Sequence, residues 1–218
     1  MKRTSIFAAV LALGLVLAAC STDSGSARAA SSNGQDGSTA AAVEFQQAMR
    51  KLWEDHITWT RLFIVSAAAG LPDTDATAQR LLRNQDDIGD AIKPFYGEAA
   101  GDQLTKLLRE HILVAADLLT AAKAGDQGAV EDQRSAWYRN ANEIADFLAK
   151  ANPDNWARKE MRSMMREHLD LTLKEAVAHL ERRHGTDIRT YDRIHRQILE
   201  MADMLSDGIA AQFPKRFR

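Results

Sequence analysis

Three histidines recur at nearly even spacing. His56, His111 and His168 stand 55 and 57 residues apart, in Asp55-His56-Ile57, Glu110-His111-Ile112 and Glu167-His168-Leu169. Each lies on an apolar stripe with helical steps: His56 with positions 49, 52, 59 and 63, His111 with Leu104, Leu107, Val114 and Leu118, and His168 with Met161, Met164, Met165 and Leu171. His195 sits in the same way among Tyr191, Ile198, Ala202 and Leu205. This spacing directs four imidazoles toward the interior of a helical protein. Neutral imidazoles converging in a bundle core can hold a transition-metal ion or a small ligand. They can equally form a polar layer that fixes helix register, with Asn84, Asn140 and Gln197 as hydrogen-bond partners.

Other residue types extend the candidate site. Asp192 and His195, three apart, share a helix face in the carboxylate-x-x-histidine spacing of di-iron bundles, although the second copy that such a centre needs is missing. Met161, Met164 and Met165 run alongside His168, and thioethers with imidazole suit copper, which makes copper the first metal to expect. The candidate metal set is therefore His56, His111, His168, His195, Asp192, Met164 and Met165. Asn84, Asn140 and Trp59 form the candidate ligand-binding set, with Trp59 offering apolar area and one donor.

The elements that must carry these residues are helices. Apolar positions recur at three- and four-residue steps from Phe45 to Ile209, and no stretch alternates as a strand does. Breaks at Gly70-Leu-Pro-Asp73, Pro94 to Gly101, Gly125-Asp126, Asn152-Pro-Asp154 and Gly185-Thr-Asp187 divide the segment into six helices. Alternate helices match one another. The first of each pair carries the histidine, and the second carries Asn84-x-x-Asp87-Ile88-x-Asp90, Asn140-x-x-Glu143-Ile144-x-Asp146 or Gln197-x-x-Glu200-Met201-x-Asp203. The pattern reads as one helical hairpin of about 56 residues repeated three times, giving an all-α six-helix bundle.

Composition limits what such a bundle can do. The chain of 218 residues has a formal net charge of -2, which becomes more acidic if Lys2 and Arg3 leave with a leader. An acidic domain is a poor nucleic-acid binder. A single cysteine, Cys20, rules out an internal disulfide and a cysteine-based metal centre. No HExxH, no Gly-rich phosphate loop and no Ser-His-Asp order is present, so no enzyme class is legible.

The N-terminus carries its own signal. Lys2 and Arg3 precede an apolar run from Ile6 to Ala19 that is short for a membrane span, and the run closes on Leu17-Ala18-Ala19-Cys20. This arrangement resembles a bacterial lipoprotein signal. The resemblance implies removal of residues 1–19, lipidation of Cys20, and export to an extracytoplasmic membrane face. Ser21 stands where that family's inner-membrane retention signal has aspartate, which implies the outer membrane where two membranes exist. Residues 20–41, rich in Ser, Ala and Gly, then read as the lipidated cysteine and a flexible tether, with the helical domain over 42–218.

The blocks Leu52-Trp-Glu-Asp-His-Ile-Thr-Trp-Thr-Arg61, Arg109-Glu-His-Ile112, His168-Leu-Asp-Leu-Thr172, Met201-Ala-Asp-Met204 and Gln212-Phe-Pro214 resemble an uncharacterised family of small exported all-helical bacterial proteins. Some of its members carry the names glycosyltransferase or acetylglutamate kinase, chemistries for which this chain has no phosphate-cradling loop. The expectation is a lipid-anchored protein that binds a metal ion or small ligand through core histidines. Its alternative is a structural lipoprotein that docks an envelope partner through its acidic face.

Overall fold

The computed structural model describes residues 33–218, with side chains from Ala40 onward. The expected leader, Cys20 and most of the expected tether lie outside the described residues. Six helices follow: α1 (Asn33–Ala69), α2 (Thr74–Tyr96), α3 (Glu98–Ala124), α4 (Gln127–Ala151), α5 (Arg158–Leu180) and α6 (His184–Gln212). A short 3-10 helix, Pro214–Phe217, ends the chain, and there is no strand among the described residues. No described helix is long and apolar enough to cross a membrane. The domain starts earlier than its composition suggests, since α1 begins at Asn33 and takes in the last nine residues of the expected tether. Residues 33–41 hold two glycines with Asn, Asp, Ser and Thr and are poor helix formers by themselves, so this first stretch is an extension propagated from the amphipathic segment that follows.

Each helix packs on its neighbours in the chain, and α6 returns against α1. The three hairpins α1–α2, α3–α4 and α5–α6 thus close into a ring, with the histidine-bearing helices α1, α3 and α5 in equivalent places. The links are short because the local chemistry stops each helix abruptly. At α3–α4, Gly125 takes the left-handed conformation (φ 73°), and the Asp126 side chain caps α4 by accepting from the Ala129 N–H at 3.0 Å. The expected break from Pro94 to Gly101 shrinks to one residue, Gly97, because proline in the last turn of α2 forfeits one hydrogen bond without ending the helix. Gly185 breaks nothing. It lies in the first turn of α6, and the turn is made instead by Arg182, a non-glycine residue at φ 57°.

One end of the ring is sealed by aromatic residues. Phe217 stacks on Phe95 at 5.6 Å and meets Phe45 at 5.3 Å, while Arg216 donates to the Pro94 carbonyl at 2.9 Å. The aromatic residues of this basic tail are thereby docked against the core. Asp55, beside His56, pairs with Lys51 and Arg80, whereas Arg109 pairs with Asp86.

Helices α2 and α3 approach closely at Gly89 and Gly101. A Cβ on Gly89 would lie 2.8 Å from the Gly101 carbonyl oxygen, and a Cβ on Gly101 would lie 2.7 Å from that of Gly89. Only glycine lets these backbones meet. Gly89→Ala should therefore destabilise the fold by about 1–3 kcal/mol in urea unfolding, through forced separation of α2 and α3. Gly128→Ala, in the open first turn of α4, should leave stability unchanged or slightly raised.

Candidate ligand site: a cavity ringed by three histidines

The inner face of α1 is set by Met49, Trp53, His56, Ile57 and Ile64, all buried. This stripe is turned by one position from the expected one. Trp53 faces the core, while Trp59 and Phe63 pack sideways on a separate cluster of Leu81, Leu82 and Ile112. Trp59, under the guanidinium of Arg80, is therefore not a wall of the central cavity. Trp137 of α4 takes that role, its ring 5.2 Å from His111.

The cavity measures about 70 Å³ and lies among α1, α3 and α5, with one residue each from α2 and α4. His56, His111 and His168 ring it, each no more than 5 % exposed, and His56 and His168 stand 5.8 Å apart. The rest is almost wholly apolar, including Ile64, Leu118, Leu119 and Val177, with only Thr60 and Thr172 adding hydroxyls. Both threonines donate to the carbonyl of the histidine four residues earlier, so even these hydroxyls are used within their own helices.

An amide orients each ring, and it comes from 29 residues further along the chain in all three hairpins: Gln85 for His56, Asn140 for His111 and Gln197 for His168. Asn140 donates from Nδ2 to the Leu107 carbonyl at 3.1 Å, which turns its oxygen to His111 Nδ1 at 2.8 Å. Nδ1 must then carry the proton, leaving the Nε2 lone pair free. Gln197 does the same for His168, donating to the Met164 carbonyl and accepting from Nδ1 at 3.0 Å. In the first hairpin the two tasks are divided. Asn84 donates to the Leu52 carbonyl at 3.0 Å, and the adjacent Gln85 directs its NH2 toward His56 Nδ1 at 3.3 Å. The same NH2 makes two shorter contacts, to the Leu81 carbonyl at 2.8 Å and Asn84 Oδ1 at 3.2 Å, and Gln85 Oε1 has no partner among the described residues. Facing an NH2, His56 accepts at Nδ1 and carries its proton on Nε2. Asn84, a candidate ligand residue by spacing, supports the helix pair, and Asn140 orients a ring rather than meeting a ligand. Gln85 keeps the 29-residue spacing from its histidine but stands one position after Asn84, the residue that the Asn84-x-x-Asp87 motif aligns with Asn140 and Gln197.

All three rings are neutral. Burial pushes His111 down to about 4, drives His56 well below the usual 6.5 with His168 and His111 adding to the effect, and lowers His168. The protein hydrogen bonds of these rings all use Nδ1, so the cavity is offered two Nε2 acceptors and one Nε2–H donor. The indole N–H of Trp137 also lacks a partner among the described residues.

The remaining candidates lie elsewhere. His195 is not a core histidine: it is partly exposed and bonds through Nε2 to Glu54 at 2.6 Å, because the buried stripe of α6 runs through Thr190, Ile194, Gln197, Ile198 and Met201, about 100° away around the helix. Asp192 is exposed on the same outer side. Met165 is buried against Trp53, Ile88 and Met201, Met164 is half-buried at the edge of the core, and no methionine lines the histidine cavity. The copper set of thioethers with imidazoles is therefore not assembled. Nor do the cavity histidines bring three ligand atoms within 4.8 Å of one another; among the described residues only His179, His184 and Asp187 do so.

No protein-family model matches the chain, and neither a curated protein nor a solved structure resembles it significantly.

Neutral buried imidazoles fix the sign of a pH dependence. The unfolded chain takes up protons as pH falls through about 6.5, whereas folded His111 resists until about 4, so stability is full above this window and is lost within it. His111 alone should contribute a loss on the order of 3 kcal/mol. Glu175, pushed up to about 7 by burial despite Arg61, acts in the opposite sense, losing stability as pH rises from the usual carboxylate range to 7. Comparing urea midpoints at pH 7.5 and 4.5 for wild type and His111→Gln isolates the histidine share. The wild type should lose more stability on acidification than the variant.

Proposed function

We propose that this protein is a lipid-anchored, extracytoplasmic binding protein whose core histidines hold a small ligand. The observation that carries the ligand reading is the chemistry of the cavity: apolar walls, three neutral imidazoles locked by amides, and unshared polar atoms at Nε2. The protein's hydrogen bonds to all three rings use Nδ1, so partners at Nε2 must come from whatever fills the cavity that these histidines ring. The unpartnered indole N–H of Trp137, on the same wall, favours an occupant with polar atoms of its own. Its volume matches about five water-sized spheres, so the occupant has few heavy atoms. Two acceptors and a donor suit an uncharged head that both donates and accepts, such as a short-chain amide or alcohol, with its alkyl part against Leu118, Leu119 and Val177. A metal ion fits less well, because its donors would have to draw together and His56 would have to exchange its proton between nitrogens.

Titration with butyramide, followed by NMR of the full chain carrying 15N-labelled histidine and tryptophan, tests the ligand reading. Saturable shifts at the cavity histidines and the Trp137 indole are expected, and they should vanish in His111→Leu. Resonances unmoved by either butyramide or 1-butanol would sink this reading.

The anchor rests on Lys2, Arg3, the apolar run and Cys20. Expressed with its leader in a bacterial host, the protein should sediment with membranes and label with radioactive palmitate. Cys20→Ser should abolish labelling and move the protein to the soluble fraction.

A further inference from the structure

A second cluster of chemistry-bearing side chains lies at the α5–α6 turn, apart from the cavity. His179 is in the last turn of α5, His184 is the first residue of α6, and Asp187 is in the first turn of α6. One ligand atom from each lies within 4.8 Å of the other two. The turn between them is only Glu181–Arg183, and its tightness forces Arg182 into the left-handed region at φ 57°. Arg182 has a Cβ that opposes this conformation, so the surrounding packing must hold the two helix ends together.

The charges around Asp187 point to a cation. Asp187 and Glu175 are both 3 % exposed, and one guanidinium, that of Arg61, serves both: it bonds Asp187 Oδ1 at 2.7 Å and Glu175 Oε1. Arg61 also lies over the ring of Tyr191, which holds it in place. Arg61 is shared between two carboxylates and engages Asp187 through Oδ1 alone. Oδ2 of Asp187 is left to His179, whose Nδ1 lies 2.9 Å away. His184 stands on the exposed side, 6.2 Å from His179 between ring centres.

We propose that His179, His184 and Asp187 form a site for a divalent transition-metal ion of the zinc type. The ion takes the place of the hydrogen between His179 Nδ1 and Asp187 Oδ2: a neutral His179 then carries its proton on Nε2, and an imidazolium releases one proton to solvent. Two imidazoles and one carboxylate suit zinc, cobalt or nickel rather than calcium or magnesium, which favour all-oxygen sets. Arg61 acts as the outer partner that orients the carboxylate through Oδ1 while Oδ2 meets the ion. His184, exposed on the first residue of its helix, is the ligand that moves inward to complete the set. The solvent side is left for a fourth ligand, water or an exogenous donor. The ion would tie α5 to α6 at the end where Val177 and Leu180 of α5 line the cavity, so it also stiffens one cavity wall.

The test uses the full chain without a polyhistidine tag, stripped with a chelator and titrated with cobalt(II) chloride, read by visible absorption, then competed with zinc chloride. One equivalent should bind per chain, zinc should displace it, and zinc should raise Tm. His184→Ala should weaken cobalt binding at least about tenfold and keep the metal-free Tm, since the removed side chain is exposed. His111→Gln should bind cobalt as the wild type does. The site is overturned by absence of saturable uptake, by equal affinity in His184→Ala, or by binding lost in His111→Gln alone. The last result would move the metal into the cavity, so failure of this site and failure of the ligand reading are told apart.

Discussion

The hydrogen bond between a histidine ring and an amide 29 residues later is the constraint on which the bundle depends. Each such bond crosses from the first helix of a hairpin to the second at full burial, where a mismatched register would strand two polar groups at once. Apolar contacts alone tolerate sliding, because leucine and isoleucine pack acceptably in many registers. In the second and third hairpins the same amide donates to the carbonyl one turn before the histidine, and in the first the adjacent Asn84 does so, which fixes both the rotation and the height of the facing helix. Three such locks set three hairpins, and the ring closes around what they leave at its centre.

The two ends of the ring are finished by different chemistry. At one, Phe45, Phe95, Phe213 and Phe217 fill the space with apolar surface and bring the last residues of the chain against α1. Toward the other, Arg61 links α1 to α5 and α6 through two carboxylates. Breaking that ionic cluster by removing Arg61 would strand buried charge, a cost that apolar ends never risk. The histidine cavity runs from the histidine layer toward the second end, where Val177 and Leu180 line it, with small residues such as Ala115 and Ala176 along its wall.

The sequence carried the helical class, the six elements and the threefold repeat, because periodicity and helix-stop chemistry are local properties. It also picked out His56, His111 and His168, since the acid-histidine-aliphatic triplet survives in all three copies. What it misjudged depended on helix rotation. A stripe of 49, 52, 56, 59 and 63 and one of 49, 53, 56, 57 and 64 share positions 49 and 56, and only packing decides that Trp53 turns inward and Trp59 aside. His195 was misassigned for the same reason, one residue from the buried Ile194. Gln85 and the cluster of Arg61, Glu175, His179 and Asp187 escaped notice because they join residues from different helices with no shared motif. Gly185 misled in another way, since a glycine usually marks the turn that Arg182 makes here.

The division of labour between Asn84 and Gln85 has a consequence for recognition. Three identical hairpins closing on one axis would present the same atom three times, and a pore of that symmetry discriminates well only among occupants that share it. Splitting the two amide tasks between adjacent residues reverses the polarity of one ring while leaving its position in place. The repeat thereby keeps the economy of a triplicated scaffold while its interior is no longer threefold symmetric, so three orientations of an asymmetric molecule placed there would differ in energy.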